Sequence, residues 1–268
     1  MSFRRLTRAV LETPSCHRLL AQTEKRPFGR RILQYVGRRH GMYGTFAEAW
    51  KAAAMGRYAG HDHASNLANH LNLAKNLRPS DYAALYWLSR IEDDLNIFDF
   101  GGNVGNLYYS YFPYLSVDEH RVDWTVYDLP KTIEEGRKIA GVRSPKGLRF
   151  TGEMRSTHDY NVLLISGALH YWEDSIEVLF ERLSHRPAHV VLNRTPMHAT
   201  EPSFITIQRF DDFAMPCIVR NANELVDSFK KLGYSLINRW EASELSIRMP
   251  LFPEKSVAHY SGFYFRKM

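Results

Sequence analysis

The chain has 268 residues, 44% hydrophobic and 24% charged, proportions that give enough apolar mass for a substantial core and exclude wholesale disorder. Its two cysteines, Cys16 and Cys217, stand far apart without metal-type spacing, which excludes a disulfide scaffold and predicts a reducing, cytoplasmic setting. The net charge of +6 is unevenly placed: residues 1–40 carry ten Lys or Arg against Glu12 and Glu24, which is +8 and leaves −2 for the rest.

Taken in order, residues 3–23 and 28–38 show helical spacing of Leu, Val and Ile among the arginines. No apolar run approaches the ~18 residues of a membrane span, and no signal-peptide core follows the start. Thr45 reads as the N-cap of a helix through Ala54, with Glu48 completing a capping box. A turn at Gly56–Gly60 leads into His61-Asp62-His63, then to helices over 64–77 and 81–91. His61, Asp62, His63 and His70 lack cysteines or a second acidic ligand nearby, so no metal site is expected there. Residues 1–92 thus read as a basic helical extension, and 93–268 as a second unit.

From Leu95 strands and helices alternate. Strands are predicted at 95–100, 122–127, 148–151, 161–166 and 188–193, with helices at 105–115, 131–140 and 173–184. A long segment, 196–220, precedes a helix at 221–232; too long for a simple link, it is a candidate lid. Two terminal strands, about 234–240 and 258–266, have no helical pattern between them. The pattern predicts an α/β fold: a doubly wound, mostly parallel seven-stranded sheet with a late antiparallel strand.

In such sheets ligands sit at the carboxyl ends of the strands. The first strand ends in Gly101-Gly102-Asn103-Val104-Gly105, where absent Cβ atoms let backbone approach a nucleotide. The second presents Asp128, 23 residues beyond Gly105 and suited to a ribose diol; the third presents Glu153, suited to an adenine amino group. The fourth presents Ser166, Gly167 and His170, and the fifth Asn193, Arg194 and His198. Arg194 and His198 suit an anionic or sugar-like acceptor. Glycines at i, i+2 and i+5 are missing, and no Gly-Lys-Ser/Thr follows the turn, so neither the NAD nor the Walker pattern fits.

Asp99-Phe-Gly-Gly-Asn-Val-Gly105 is similar to the first motif of class I S-adenosylmethionine-dependent methyltransferases. Asp128-Leu129-Pro130, Gly152-Glu153-Met154 and Leu169-His170-Tyr171-Trp172-Glu173-Asp174 follow in the order of the O-methyltransferase pattern, so the resemblance covers residues 95–193. It implies a Rossmann-like fold and S-adenosylmethionine held by Asp99, Gly101, Gly102, Asn103, Gly105, Asp128, Leu129, Glu153, Met154, Ser166 and Gly167. It implies His170 as the base that takes a proton from a hydroxyl acceptor. Gly44 to Trp50 and Leu192 to Pro196 resemble a bacterial group of methyltransferases linked to surface-polysaccharide synthesis, which implies a small or glycan-like acceptor. Asn103 departs from the family's glycine, Glu153 from its aspartate, and Tyr171 from the aspartate after the histidine.

Two other classes fit parts of the chain. A nucleotide-dependent oxidoreductase would use the same sheet, against the missing NAD fingerprint. A nucleic-acid-binding module would use the basic arm, although only Phe3, Phe28 and Tyr35 interleave its charges. The same arm also suits peripheral contact with an anionic membrane surface.

Overall fold

The computed structural model describes residue 16 and residues 39–54, 77–115, 121–155, 159–209, 214–249 and 252–268. Residue 16 apart, the helices expected within 1–38 and 64–76, and the turn at His61-Asp62-His63 with His70, lie outside the described residues.

The main sheet holds seven strands: β2 (Leu95–Phe100), β3 (Val122–Tyr127), β4 (Leu148–Thr151), β5 (Val162–Ser166), β6 (His189–Thr195), β10 (Tyr234–Ala242) and β11 (Tyr260–Lys267). Their order is β10-β11-β6-β5-β2-β3-β4. The five from β6 to β4 run parallel. β11 is antiparallel to both β6 and β10. The strand order reverses at β2, between β3 and β5, which is where a doubly wound sheet opens a crevice.

The central strands are near-continuous apolar runs because both sheet faces are covered. Successive side chains point to opposite faces, so Ile97 joins one core cluster and Phe98 the other. The first cluster gathers Leu85 and Leu88 of α2 (Pro79–Ser89), Leu107 and Tyr111 of α3 (Asn106–Tyr111), and Trp124. The second gathers Leu179 and Phe180 of α5 (Ile176–Arg182), Phe229 of α6 (Ala222–Lys231), Phe263 and Phe265. α4 (Pro130–Arg143) approaches the sheet through Gly136, where a Cβ would lie 2.3 Å from the Phe150 ring.

Four further strands form a second sheet in the order β1-β8-β9-β7: β1 (Arg39–Tyr43), β7 (Met197–His198), β8 (Phe204–Arg209) and β9 (Ala214–Asn221). α1 (Phe46–Ala54) packs Ala49 and Ala53 against Ile207 and Ala214 of this sheet. Thr45 Oγ1 accepts the Glu48 N–H at its start, and Glu48 reaches back to the Gly44 N–H. Two expectations change here. Residues 39–43, placed in a helical extension, are a strand, because β8 supplies an antiparallel partner. Segment 196–220, read only as a long connection and candidate lid, is mostly strand among its described residues, with β8 and β9 pairing from Phe204↔Val219 to Arg209↔Ala214. None of the described helices is long and apolar enough to cross a membrane.

Candidate active site

β2 delivers the chain into a turn in which Gly101, Asn103 and Gly105 have φ of +71°, +57° and +86°. Left-handed backbone favours glycine and tolerates asparagine best among the rest. Asn103 meets the requirement with its own side chain, its Oδ1 accepting the Val104 N–H at 2.8 Å. The Gly101 N–H donates to the Tyr127 carbonyl at 2.8 Å, tying the turn to the end of β3.

The glycines also make room for this protein's own atoms. A Cβ on Gly101 would meet the Ala168 methyl at 2.4 Å, and one on Gly102 would meet Asp99 Oδ2 at 2.3 Å. Gly167, at the end of β5, is different. Its φ is +74°, and its missing Cβ would face open space.

Asp99 lies beneath the turn and is 1% exposed. Its Oδ2 accepts the Trp124 Nε1–H at 3.0 Å, while Oδ1 has no hydrogen-bond partner among the described residues. Burial pushes this carboxyl up to about 7; nearby Asp128 adds to the rise, and the Trp124 hydrogen bond and Arg194 oppose it. Asp128 Oδ2 accepts the Asn103 N–H at 2.8 Å and Oδ1 accepts the Leu129 N–H at 2.7 Å. The carboxylate ending β3 therefore clamps the middle of the glycine turn.

The remaining strand ends contribute unevenly. Glu153 is exposed, its N–H bound to Thr151 Oγ1 at 3.1 Å. Met154, like Tyr127 and Trp172, packs half-buried against the second core cluster. Tyr127 stacks on Phe100 at 5.3 Å, and Trp172 meets Phe100 edge-on at 5.9 Å, giving an aromatic wall in which the sequence had not singled out Tyr127. His170 lies in a 3-10 turn, Leu169–Tyr171, and is 3% exposed. Its ring sits 4.0 Å from that of Tyr171 and 6.2 Å from that of Tyr260. Tyr171 donates to Gln208 Oε1 at 2.9 Å, joining this turn to the second sheet.

The two residues expected on the acceptor do not act together. Arg194 turns inward, its Nε and Nη2 donating to Ser166 Oγ at 3.1 and 2.8 Å, and its Nη1 lies 3.4 Å from Asp81 Oδ1. His198 has both ring nitrogens engaged: Nδ1 accepts the Thr200 and Glu201 N–H groups, and Nε2 donates to the Glu254 carbonyl at 2.9 Å. Sequence reasoning missed Asp81 and Tyr111, which meet in the core at 2.6 Å. An acid in the first turn of a helix looks like an ordinary cap, so nothing in the sequence marks Asp81.

No protein-family model matches the chain, and no curated protein matches it in sequence. Solved structures do. The chain is 14% identical to a coclaurine N-methyltransferase bound to N-methylheliamine and S-adenosylhomocysteine, over 98% of each chain, with a TM-score of 0.51. It is 10% identical to the glycopeptide N-methyltransferase MtfA in complex with S-adenosylhomocysteine, over 72% of this chain and 91% of that one, with a TM-score of 0.50. At such identities the shared property is the fold, and it is the Rossmann-like fold of class I methyltransferases.

Proposed function

We propose that the chain is an S-adenosylmethionine-dependent methyltransferase acting on an oxygen of a small or glycan-like acceptor. One observation carries the reading: a turn of three left-handed residues at the switch in strand order, with the carboxylate that ends the neighbouring strand bound to its middle N–H. The donor set fits the cofactor. A buried carboxylate oxygen lacks a partner at Asp99, and the backbone at Gly167 opens into space.

Bound S-adenosylmethionine would supply a methyl group on a cationic sulfur, open to direct displacement by the acceptor. The chain's part is to hold and align. Asp128 and Leu129 would hold the ribose, Glu153 and Met154 the adenine, and Asp99, Gly101, Gly102, Asn103, Gly105, Ser166 and Gly167 the remaining edge. Tyr171 and Trp172 would keep water from the acceptor oxygen, and His170 would take its proton, a hydroxyl being a poor nucleophile at neutral pH. Arg194 and His198 are left to shape the protein rather than touch the acceptor, since their polar atoms already serve it.

The test is calorimetry with S-adenosylhomocysteine, followed by incubation with S-adenosylmethionine and a panel of hydroxylated acceptors. Binding and an O-methyl resonance in the product are expected. No binding would overturn the cofactor assignment, and an N-methyl product would overturn the choice of oxygen.

A further inference from the structure

The end of β6 is irregular. Thr195 pairs with Ser261 and Leu192 pairs with Phe263, so Asn193 and Arg194 together face the single residue Gly262. This is a β-bulge, and Arg194 sits in it with φ +53°. In a regular strand consecutive side chains point to opposite faces. Here both reach one carboxylate: Asn193 Nδ2 lies 3.2 Å and Arg194 Nη1 3.4 Å from Asp81 Oδ1.

Asp81 belongs to α2, ahead of the methyltransferase-like strands, and is 3% exposed. It also accepts the Tyr111 hydroxyl at 2.6 Å and the Arg78 N–H at 2.9 Å. Trp240 completes the cluster, donating Nε1–H to Asn193 Oδ1 at 3.0 Å across the face of Gly262. A left-handed arginine is strained backbone, which persists only where surroundings hold it.

The same two residues hold the end of β5. The Asn193 carbonyl accepts the Gly167 N–H at 2.9 Å, and the Arg194 guanidinium donates twice to Ser166 Oγ. The next residue, Ala168, fills the space beside Gly101. The contacts therefore run without a break from Asp81 through the bulge to Ser166 and Gly167, and on to the glycine turn. The charge of Arg194 is met by Asp81, which suits a group acting on the protein rather than on an anionic acceptor.

We propose that the Asn193–Arg194 bulge, locked onto Asp81, is the positioning device of the cofactor site, and that α2 is thereby a working part of it. The proposal rests on the reading of this site as one for S-adenosylmethionine. Arg194→Gly removes the guanidinium at a backbone position that glycine adopts without strain, so relief of strain should offset part of the stability lost when buried Asp81 loses its partner. The variant's affinity for S-adenosylhomocysteine should fall about tenfold, as when a group orienting a ligand-binding residue is lost. Arg194→Lys, which keeps charge but not the fork, and Asp81→Asn should fall in the same direction. Without ligand, amide exchange at residues 166–168 should quicken in all three.

Wild-type affinity in Arg194→Gly would overturn the proposal, even with faster exchange, because the bulge would then serve stability alone. Should Asp81→Asn fail to fold, Arg194→Gly decides. Failure of the wild-type chain to bind S-adenosylhomocysteine would count against the cofactor reading, and unchanged exchange at 166–168 would then separately dismiss the bulge as a positioning device.

Discussion

Trp124 donates its indole N–H to Asp99 across 3.0 Å, inside a core where both side chains are at most 1% exposed. One hydrogen bond does not offset the burial of a negative charge, so the carboxyl is held up to about 7 from an ordinary 3.8. The unfolded chain gives up this proton first as pH rises. The contribution of Asp99 to stability is therefore whole below about pH 3.8, and is lost progressively until pH passes about 7.

Asp99→Asn keeps the shape and an acceptor for Trp124 but does not ionise. Between pH 5 and pH 8 the wild-type chain should lose about 2–3 kcal/mol more stability than this variant, from one pKa unit being worth about 1.4 kcal/mol. Urea melts at the two pH values measure it. Parallel losses in the two proteins would show that Asp99 ionises without penalty.

At Asp128 the expected effect is on binding. Asp128→Ala leaves the Asn103 N–H without its acceptor and removes the residue proposed for the ribose. Affinity for S-adenosylhomocysteine should weaken by about 1–3 kcal/mol, the usual cost of an unmet buried partner. Asp128→Asn, which retains an oxygen for that N–H, should lose less. An unchanged binding isotherm for the alanine variant would remove Asp128 from the site.

What the sequence revealed depended on how local the cause was. The parallel strands were legible because burial on both faces leaves unbroken apolar runs such as Val162 to Ile165. The turn was legible because its glycines and Asn103 answer a local backbone demand. β1 was not, since its pairing partner Gln208 lies 169 positions on from Arg39, and nothing in Arg-His-Gly-Met-Tyr announces it. The bulge was hidden as well. Asn193-Arg194 reads as a polar strand end, and only the pairing with β11 shows two residues facing one.

His170 should separate chemistry from binding. In His170→Ala turnover should drop by roughly 10²–10⁴-fold, the range for loss of a general base, with affinity for S-adenosylhomocysteine close to wild type. Single-turnover rates with the unmethylated, hydroxylated acceptor measure it. Normal turnover would make His170 a packing residue against Tyr171 and Tyr260.

The basic arm gives a prediction from charge alone, with +8 in residues 1–40. Full-length protein should sediment with anionic vesicles at low salt and be released as salt shortens the Debye length to about 8 Å near 0.15 M. A chain beginning at Arg39 should stay in solution. Equal sedimentation of the two would make the arm irrelevant to membranes.

Asn103 tests how the turn is balanced. Asn103→Gly relaxes the left-handed backbone, worth roughly 1 kcal/mol. It also gives up the Oδ1 contact to the Val104 N–H and lets the unfolded chain gain about 0.4–1 kcal/mol of freedom. These nearly cancel, so its melting temperature should lie within a few degrees of wild type. Asn103→Ala keeps the strain and loses the contact, and should destabilise by about 1–2 kcal/mol. Thermal melts of both decide it: an alanine variant as stable as the glycine variant would mean that the turn has moved out of the left-handed region, and with it the N–H that Asp128 holds.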